Sequence, residues 1–265
     1  MAARRRLDAE LVRRGLVTSR TEAQVAVAAG LVTVGGLPAT KPASLVSADE
    51  PLHMTAPPRR FVSRGGDKLQ AALDRFGIDP TGRDCLDAGA STGGFTDCLL
   101  RAGAGRVVAV DVGYGQLAWE LRTDPRVIVL ERTNARSLDP GDLPFAPELV
   151  VGDLSFISLR AVLPALSRVA AVGADLVLLV KPQFEAGPDH VGRGGVVRDP
   201  LVWRRVLGEV ADSCRVNGIG VAAVMVSPLV GPAGNVEFLL HGRKGEPDGA
   251  VDLDAAVAEG ERLRR

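Results

Sequence analysis

The sequence has few of the residues from which metal sites and disulfide frameworks are built. Its 265 residues include 3 cysteines and 3 histidines, and neither type recurs at a metal-ligand spacing such as C-x-x-C. An odd number of cysteines without a repeated spacing argues against a disulfide framework and is typical of a reducing compartment. We therefore predict no metal site and a cytoplasmic protein.

Long hydrophobic runs are also missing. The best apolar run, residues 174–180, has the length of a strand and is far too short to cross a bilayer. The N-terminal segment carries arginines at positions 4–6 but lacks the apolar stretch that would complete a signal peptide. We therefore expect a protein with no membrane partner.

The chain has no net charge, since 32 Lys and Arg balance 32 Asp and Glu, so the whole protein is not basic in the way of many nucleic-acid binders. The charge is unevenly distributed. Residues 1–64 hold 10 basic against 5 acidic side chains, whereas residues 246–265 hold 3 against 6. This asymmetry indicates a local contact with a polyanion near the N-terminus, although solvated helix faces would give the same charge pattern.

The first part of the chain has the pattern of a small α+β domain. Two short helical patterns lie within residues 7–30, and Ser19 with Glu22 has the spacing of a capping box at the start of the second. A short β-rich run is then followed by Gly35-Gly36, which predicts a hairpin turn. We assign residues 1–58 to this domain and residues 59–62 to a linker.

From residue 63 onward, predicted strands alternate with predicted helices. This pattern is typical of an α/β domain with a mostly parallel, doubly wound sheet, which we place at 63–245, followed by a tail at 246–265. The last two strands have no helix between them, so we expect the final strand to be antiparallel, as in the seven-stranded methyltransferase sheet. The strands are predicted near 84–89, 106–111, 126–131, 149–154, 175–181, 218–227 and 235–243, and the helices near 64–77, 94–103, 114–122, 157–171 and 200–217.

A glycine-rich loop follows the first strand of this domain, and the next strand ends in Asp111. Glycine lets a ligand approach the backbone, and an acidic residue at that strand end can accept hydrogen bonds from ribose hydroxyls. The loop lacks the G-x-G-x-x-G spacing that a dinucleotide pyrophosphate requires. It therefore favours S-adenosylmethionine (SAM) over NAD, with a dehydrogenase or an ordinary strand–turn–helix as open alternatives. The candidate contacts to the methionine end of SAM are Gly89, Ala90, Ser91, Thr92 and Gly94.

Four charged residues are predicted to meet at the carboxyl edge of the sheet. Asp153 and Lys181 end parallel strands, Glu237 begins the antiparallel strand, and Lys68 lies in the helix before the first strand. Charges in such apolar surroundings are costly unless they are paired. The set is therefore a candidate catalytic site, with two structural salt bridges as the alternative.

These four residues resemble the K-D-K-E tetrad of ribose 2′-O-methyltransferases of the FtsJ type. The N-terminal domain is similar to the S4 RNA-binding fold, and the whole chain resembles the TlyA family, which has also been labelled haemolysin A. The resemblance implies SAM-dependent 2′-O-methylation of cytidine in ribosomal RNA, in both the 30S and 50S subunits, and a link to capreomycin sensitivity. The motifs that carry it include Ser63–Leu69, Asp111–Leu117, Glu131–Arg136 and Asp153–Ser158.

The resemblance also suggests roles for individual residues. Lys181 is the expected base or the group that stabilises the alkoxide, because a lysine acts as a base near neutral pH only where a neighbouring cation or desolvation favours its neutral form. Asp111 would hold the SAM ribose and Asn134 the adenine edge, although Asn134 is equally suited to a turn; Asp153 would serve both cofactor and catalysis. The candidate RNA contacts are Arg4, Arg6, Arg20, Lys41, Arg64, Arg132 and Arg136.

Two other classes of function fit the sequence less well than this enzyme. A non-catalytic RNA-binding factor for ribosome assembly would not need an intact tetrad and a glycine-rich loop. A membrane-lytic protein would need a strongly amphipathic basic helix or a spanning segment, and the sequence contains neither. The sequence therefore favours the methyltransferase.

Overall fold

A computed structural model describes residues 4–17, 19–55 and 60–264. The chain divides into two compact units, Met1–Arg59 and Arg60–Arg265. The second unit corresponds to the predicted α/β domain, and the first to the predicted α+β domain.

The first unit packs two short helices against small antiparallel sheets. The helices bury Leu7, Leu11, Ala23 and Val27 in one apolar cluster. One sheet pairs β1 with β4 and the other has the order β3-β2-β5. The elements are β1 (Arg5–Arg6), α1 (Leu7–Arg13), α2 (Arg20–Ala28), β2 (Val32–Val34), β3 (Leu37–Pro38), β4 (Leu45–Val46) and β5 (Leu52–Met54).

Local signals in this unit act as the sequence predicts. The Ser19 side chain accepts a hydrogen bond from the Glu22 N–H at 3.1 Å and so caps α2. Gly35 and Gly36 both have positive φ, at 59° and 83°, which allows the tight hairpin between β2 and β3.

The second unit is built on a seven-stranded mixed sheet, as predicted. Its strand order is β11-β12-β10-β9-β6-β7-β8, and β12 is antiparallel to both of its neighbours while the other pairs are parallel. The elements are α3 (Gly65–Phe76), β6 (Asp84–Ala88), α4 (Gly94–Arg101), β7 (Arg106–Val110), α5 (Trp119–Arg122), β8 (Val127–Leu130), β9 (Leu149–Gly152), α6 (Leu159–Val169), β10 (Asp175–Val180), α7 (Pro182–Glu185), α8 (Pro200–Val216), β11 (Ile219–Val226), β12 (Phe238–Lys244) and α9 (Leu253–Arg264).

The central strands are apolar because helices cover both faces of the sheet. One apolar cluster contains Leu86, Val150 and Leu178 on the side of α6 and α8, and the other contains Cys85 and Val107 on the side of α3 and α4. Successive residues of one strand thus serve opposite faces. Burial raises the pKa of the Cys85 thiol to about 12, as expected for a structural cysteine.

Two predicted elements are shorter than expected. The helix predicted at 114–122 is reduced to α5, because the chain turns at Gly115 with φ +71° and is still extended at Ala118. The final strand begins at Phe238 rather than at residue 235. The Asn235 side chain instead forms two hydrogen bonds with another segment: its Oδ1 accepts the Val197 N–H, and its Nδ2 donates to the Gly195 carbonyl.

Two residues of the predicted linker, and the predicted tail, pack within the second unit. Arg59 lies outside the described residues. Phe61 is only 2% exposed, and the Val62 N–H donates to Asp97 Oδ2 in α4 at 2.9 Å. In the tail, α9 packs against β11 and α8.

Candidate functional site

The glycine-rich loop between β6 and α4 is closely packed at the carboxyl edge of the sheet. Gly89 has φ +87°, and a Cβ there would lie 3.0 Å from the Asp153 carbonyl oxygen. At Gly94 a Cβ would lie 2.1 Å from Ser63 Oγ. The loop therefore requires glycine at these two positions, which brings the backbone close to the space above it.

Two cavities meet at this loop. The larger has a volume of about 640 Å³ and the smaller about 160 Å³, and both are lined by Gly89, Ser91, Asp153 and Ser155. The larger cavity is otherwise mainly apolar, with walls that include Val110, Val112, Ala135, Leu154, Ile157 and Val162. The smaller cavity adds Ser63, Gly65, Ala90, Thr92, Gly94, Phe95 and Lys181.

Asp111 is the only acidic side chain that lines the larger cavity besides Asp153, among the residues that the structure describes. Its two carboxylate oxygens accept the backbone N–H groups of Ser91 at 2.8 Å and Gly113 at 2.7 Å. Each oxygen has a second lone pair, so the carboxylate can still accept from a ligand diol. Apolar walls, a carboxylate and a glycine-lined side pocket suit an adenosine group with an amino-acid end, and the residues therefore fit SAM.

Asn134 lies in a turn at the wall of the larger cavity. It lines the larger cavity, and its Oδ1 accepts the Arg136 N–H at 3.0 Å at the start of a 3₁₀ turn. The turn fixes the side chain at the cavity wall. All eight predicted cofactor contacts line one or both cavities.

Lys181 lies at the boundary of the site with two acceptors for its ammonium group. Its Nζ is 2.6 Å from Asp153 Oδ1 and donates to Ser155 Oγ at 2.7 Å. Lys181 is 8% exposed and lines the smaller cavity. The ion pair and the hydrogen bond together fix the end of a flexible side chain next to the space shared by the two cavities.

The other two members of the predicted tetrad form a second, more deeply buried ion pair. Lys68 Nζ is 2.5 Å from Glu237 Oε2, and the two residues are 6% and 1% exposed. The strand register pairs Val180 with Phe238, so Lys181 and Glu237 occupy facing positions just beyond β10 and β12. The structure thus brings the tetrad to one edge as two pairs, of which only Lys181 and Asp153 line the cavities.

The Lys68–Glu237 pair gives a prediction for stability. Replacing Lys68 with methionine leaves the Glu237 carboxylate buried without its partner, so we expect the free energy of unfolding to fall by about 3–5 kcal/mol. The double variant Lys68→Met/Glu237→Met should recover most of that loss, because it removes both buried charges. Urea unfolding of the single and double variants measures this; a double variant no more stable than the single one would contradict it.

Two residues at this site, both within the motif Asp153–Ser158, had no individual role predicted from the sequence. Ser155 bonds Lys181, and Phe156 is 92% exposed with φ +62°, a strained conformation for an aromatic residue. The Phe156 ring centroid is 5.2 Å from that of Phe184, which in turn lies 5.9 Å from Lys181 Nζ. Their position directly after Asp153 at a strand end was the available signal.

A buried carboxylate ties together the two segments that carry these residues. Glu185, four residues after Lys181, accepts the Ser158 hydroxyl at 2.5 Å and the Leu159 N–H at 2.6 Å at the start of α6. Burial raises the pKa of Glu185 above its usual range. Glu185 thereby holds the loop with Ser155 and Phe156 against the segment that begins at Lys181.

A second buried carboxylate lies beneath the glycine-rich loop. Asp87 Oδ2 accepts the Thr96 hydroxyl at 2.7 Å, while its Oδ1 has no hydrogen-bond partner among the described residues. Burial raises the pKa of Asp87 to about 7, and the negative charge of Asp153 adds to the effect. Asp87 was also missed in the sequence, where it reads as part of an apolar strand.

The predicted RNA contacts are all exposed, in both units. In the second unit, Arg136 lines the larger cavity, and the Arg132 guanidinium lies over the Tyr114 ring at 4.4 Å. In the first unit, Arg6 and Arg20 are both bound to Asp8. The remaining candidates are Arg4, Lys41 and Arg64.

Metal clusters and membrane-spanning helices are both absent from the described ranges, 4–17, 19–55 and 60–264. They contain no group of three or more His, Cys, Asp or Glu side chains placed to hold a metal ion. None of their helices has the length and apolarity needed to cross a membrane.

Comparison with known proteins identifies both units. Residues 61–244 match the FtsJ-like methyltransferase family and residues 5–52 match the S4 domain. The "16S/23S rRNA (cytidine-2'-O)-methyltransferase TlyA" of Mycobacterium tuberculosis is 57% identical over 241 residues, which are 91% of this chain and 90% of that protein. The "Putative rRNA methyltransferase YqxC" of Bacillus subtilis is 47% identical over 89% of this chain and 84% of its own length.

Solved structures agree with these relatives. The structure titled "Putative hemolysin from Streptococcus thermophilus" superposes with a TM-score of 0.77 at 38% identity and covers 99% of this chain and 98% of that one. The predicted fold, family and cofactor are therefore confirmed. The chain belongs to the TlyA family of FtsJ-like, SAM-dependent methyltransferases that carry an S4 domain.

Proposed function

We propose that this enzyme methylates the 2′-oxygen of a cytidine ribose in ribosomal RNA of both the 30S and the 50S subunits. The observation that carries the proposal is the position of Lys181, held by Asp153 and Ser155 where the two cavities meet. The choice of cytidine and of two subunits is supported by the name of the M. tuberculosis relative. Ribosomal substrates would place the enzyme in the cytoplasm, and the family resemblance extends the proposal to capreomycin sensitivity.

The cofactor would occupy both cavities. Gly89, Ala90, Ser91, Thr92 and Gly94 surround its methionine end in the smaller cavity, while Asp111 accepts its ribose hydroxyls in the larger one. Asn134 lies at the adenine edge, and Asp153 lines both cavities. SAM supplies a methyl group activated by its sulfonium charge.

The protein must place the ribose hydroxyl and stabilise the charge that develops on its oxygen. In our proposal Lys181 Nζ contacts the 2′-oxygen in one of two ways: its amine accepts the hydroxyl proton, or its ammonium group donates a hydrogen bond that stabilises the alkoxide while that proton passes to solvent. In both cases the ammonium group is paired with Asp153. Ser155 fixes the direction of that donor. The buried Lys68–Glu237 ion pair stabilises the same edge of the sheet without lining either cavity.

The RNA would be bound by phosphate contacts and by stacking. The seven exposed basic residues supply the phosphate contacts, which position an RNA without reading its sequence. A target nucleotide must leave its stack to reach a recessed site, and an exposed aromatic ring stabilises an unstacked base. Phe156, next to Phe184 and the Lys181 segment, is suited to that role.

The test is transfer of a labelled methyl group from SAM to purified 30S and 50S subunits that lack the modification. We expect label on the ribose 2′-oxygen of a cytidine in each subunit. Label on one subunit alone would limit the proposal to that subunit. No label on either, from protein shown to bind SAM, would contradict it and favour another RNA substrate or a non-catalytic assembly factor.

A further inference from the structure

A fully buried carboxylate in the first unit holds two arginines that stay half-exposed. Asp8 is 0% exposed and accepts Arg6 through both carboxylate oxygens, at 3.1 and 2.8 Å. Arg20 donates to the same Oδ2 at 3.0 Å. The arginine side chains remain 45% and 56% exposed, so their guanidinium groups are fixed from below and open to solvent.

The hydrogen bonds of this arrangement occupy almost all of the acceptor capacity of the Asp8 carboxylate. Its Oδ1 also accepts the Ala9 N–H at 2.8 Å, and its Oδ2 lies 3.4 Å from the Gln24 amide. The Arg6 and Arg20 bonds hold the pKa of Asp8 well below its usual range, so the carboxylate stays ionised. Two positive charges against one negative leave an excess of one positive charge at a single place on the surface.

Backbone contacts join the segment that follows Lys41 to the start of α1. The Asp8 N–H donates to the Pro42 carbonyl at 3.0 Å, and the Leu7 N–H donates to the Ser44 carbonyl at 2.8 Å. The exposed Lys41 precedes this segment directly. The backbone next to Lys41 is therefore joined to the backbone at Asp8, the residue that binds Arg6 and Arg20.

A neighbouring cluster shows what a purely structural arrangement looks like. Glu10, 1% exposed, also binds two arginines, Arg13 and Arg14. Arg14, however, is only 22% exposed, and its two other guanidinium nitrogens donate hydrogen bonds to the backbone carbonyls of residues 47, 48 and 50. Its guanidinium group joins Glu10 to the chain at residues 47–50, whereas the described residues show no hydrogen bond or ion pair of the Arg6 or Arg20 guanidinium group other than those to Asp8.

We propose that Asp8 is a positioning residue that holds Arg6 and Arg20 as a preformed site for one backbone phosphate of the RNA substrate. Guanidinium groups bind phosphate through paired N–H donors, and this requires a fixed orientation. Asp8 supplies the orientation in advance and lowers the entropy that binding would otherwise cost. The inference rests on the proposed RNA substrate and adds the geometry of one of its contacts.

The substitution Asp8→Asn tests this proposal, because charge alone and the proposed positioning role predict different changes in the affinity for RNA. It removes a negative charge, so charge alone predicts equal or tighter binding of RNA. Our proposal predicts binding weakened about tenfold, with the slope of log affinity against log salt smaller by about 1, because the arginines lose their fixed position. The measurement is binding of the full-length protein to purified, unmethylated 30S and 50S subunits at several salt concentrations.

Two further variants keep the test decisive if Asp8→Asn does not fold. Arg20→Lys conserves the charge and the ion pair but removes the paired donors, so we expect weaker binding by about fivefold. Arg13→Lys is the matched control on Glu10 and should bind as the wild type does. If the wild type binds the subunits and Asp8→Asn and Arg20→Lys bind with the same affinity, the inference is overturned while the proposed function stands. An equal loss of affinity in Arg13→Lys also overturns the inference. If the wild type binds neither subunit, the proposed function itself is overturned.

Discussion

Lys181→Ala should lower the rate of methyl transfer by about 10³-fold or more while SAM affinity stays within a few-fold of wild type. The side chain lies where the two cavities meet, with its ammonium group bound by Asp153 and Ser155. In the proposed complex, loss of the ammonium group removes the group that would contact the 2′-oxygen but none of the groups that would surround the adenosine. Single-turnover methyl transfer with saturating subunits, beside calorimetric titration with SAM, measures both effects.

Two companion variants separate the possible roles of Lys181. An arginine at this position stays charged and cannot act as a base, so partial activity of Lys181→Arg would indicate stabilisation of the alkoxide rather than proton removal. Ser155→Ala leaves the lysine and its ion pair but removes one of the two acceptors that orient it. We expect a smaller loss in kcat for Ser155→Ala, about tenfold, with little change in KM for SAM. Full activity of Lys181→Ala would contradict the assignment.

The fold could be predicted because its signals are local. The apolar run that became β6 was followed by the glycine-rich loop, and those that became β7, β9 and β10 were each followed by a charged residue. The absence of a helix before the last strand predicted its antiparallel direction. The error at residues 114–122 has the same origin, since helical spacing there competes with two glycines that favour turns. Tertiary packing settled that competition in favour of the turns.

The candidate site could be predicted only in part, because local sequence patterns do not determine which distant residues form ion pairs with each other. Residue type and strand ends suggested that Lys68, Asp153, Lys181 and Glu237 share one edge. Which lysine pairs with which carboxylate depends on the register of β10 and β12, and that is set by the whole sheet. Asp8 reads as an ordinary helix residue, yet its role depends on Arg20, twelve positions away.

Asp111→Ala is expected to weaken SAM binding by about 10- to 100-fold, because hydrogen bonds to a charged acceptor contribute about 1.5–3 kcal/mol. The substitution also frees the Ser91 and Gly113 N–H groups that the carboxylate now holds, so the loop above the cavity loses part of its order. Calorimetric titration with SAM and with its demethylated product measures the effect on the cofactor site directly.

The matched control for Asp111 lies on the same edge of the sheet. Glu131 follows β8, accepts the Gly115 N–H at 2.7 Å and does not line the larger cavity. Glu131→Gln removes the same charge, so unchanged SAM affinity there would exclude a general electrostatic effect. At saturating SAM, Asp111→Ala should recover most of its kcat, whereas Lys181→Ala should not. Opposite behaviour of these two variants would assign the larger cavity to the cofactor and the Lys181 group to the reaction; the same behaviour in both would contradict that division.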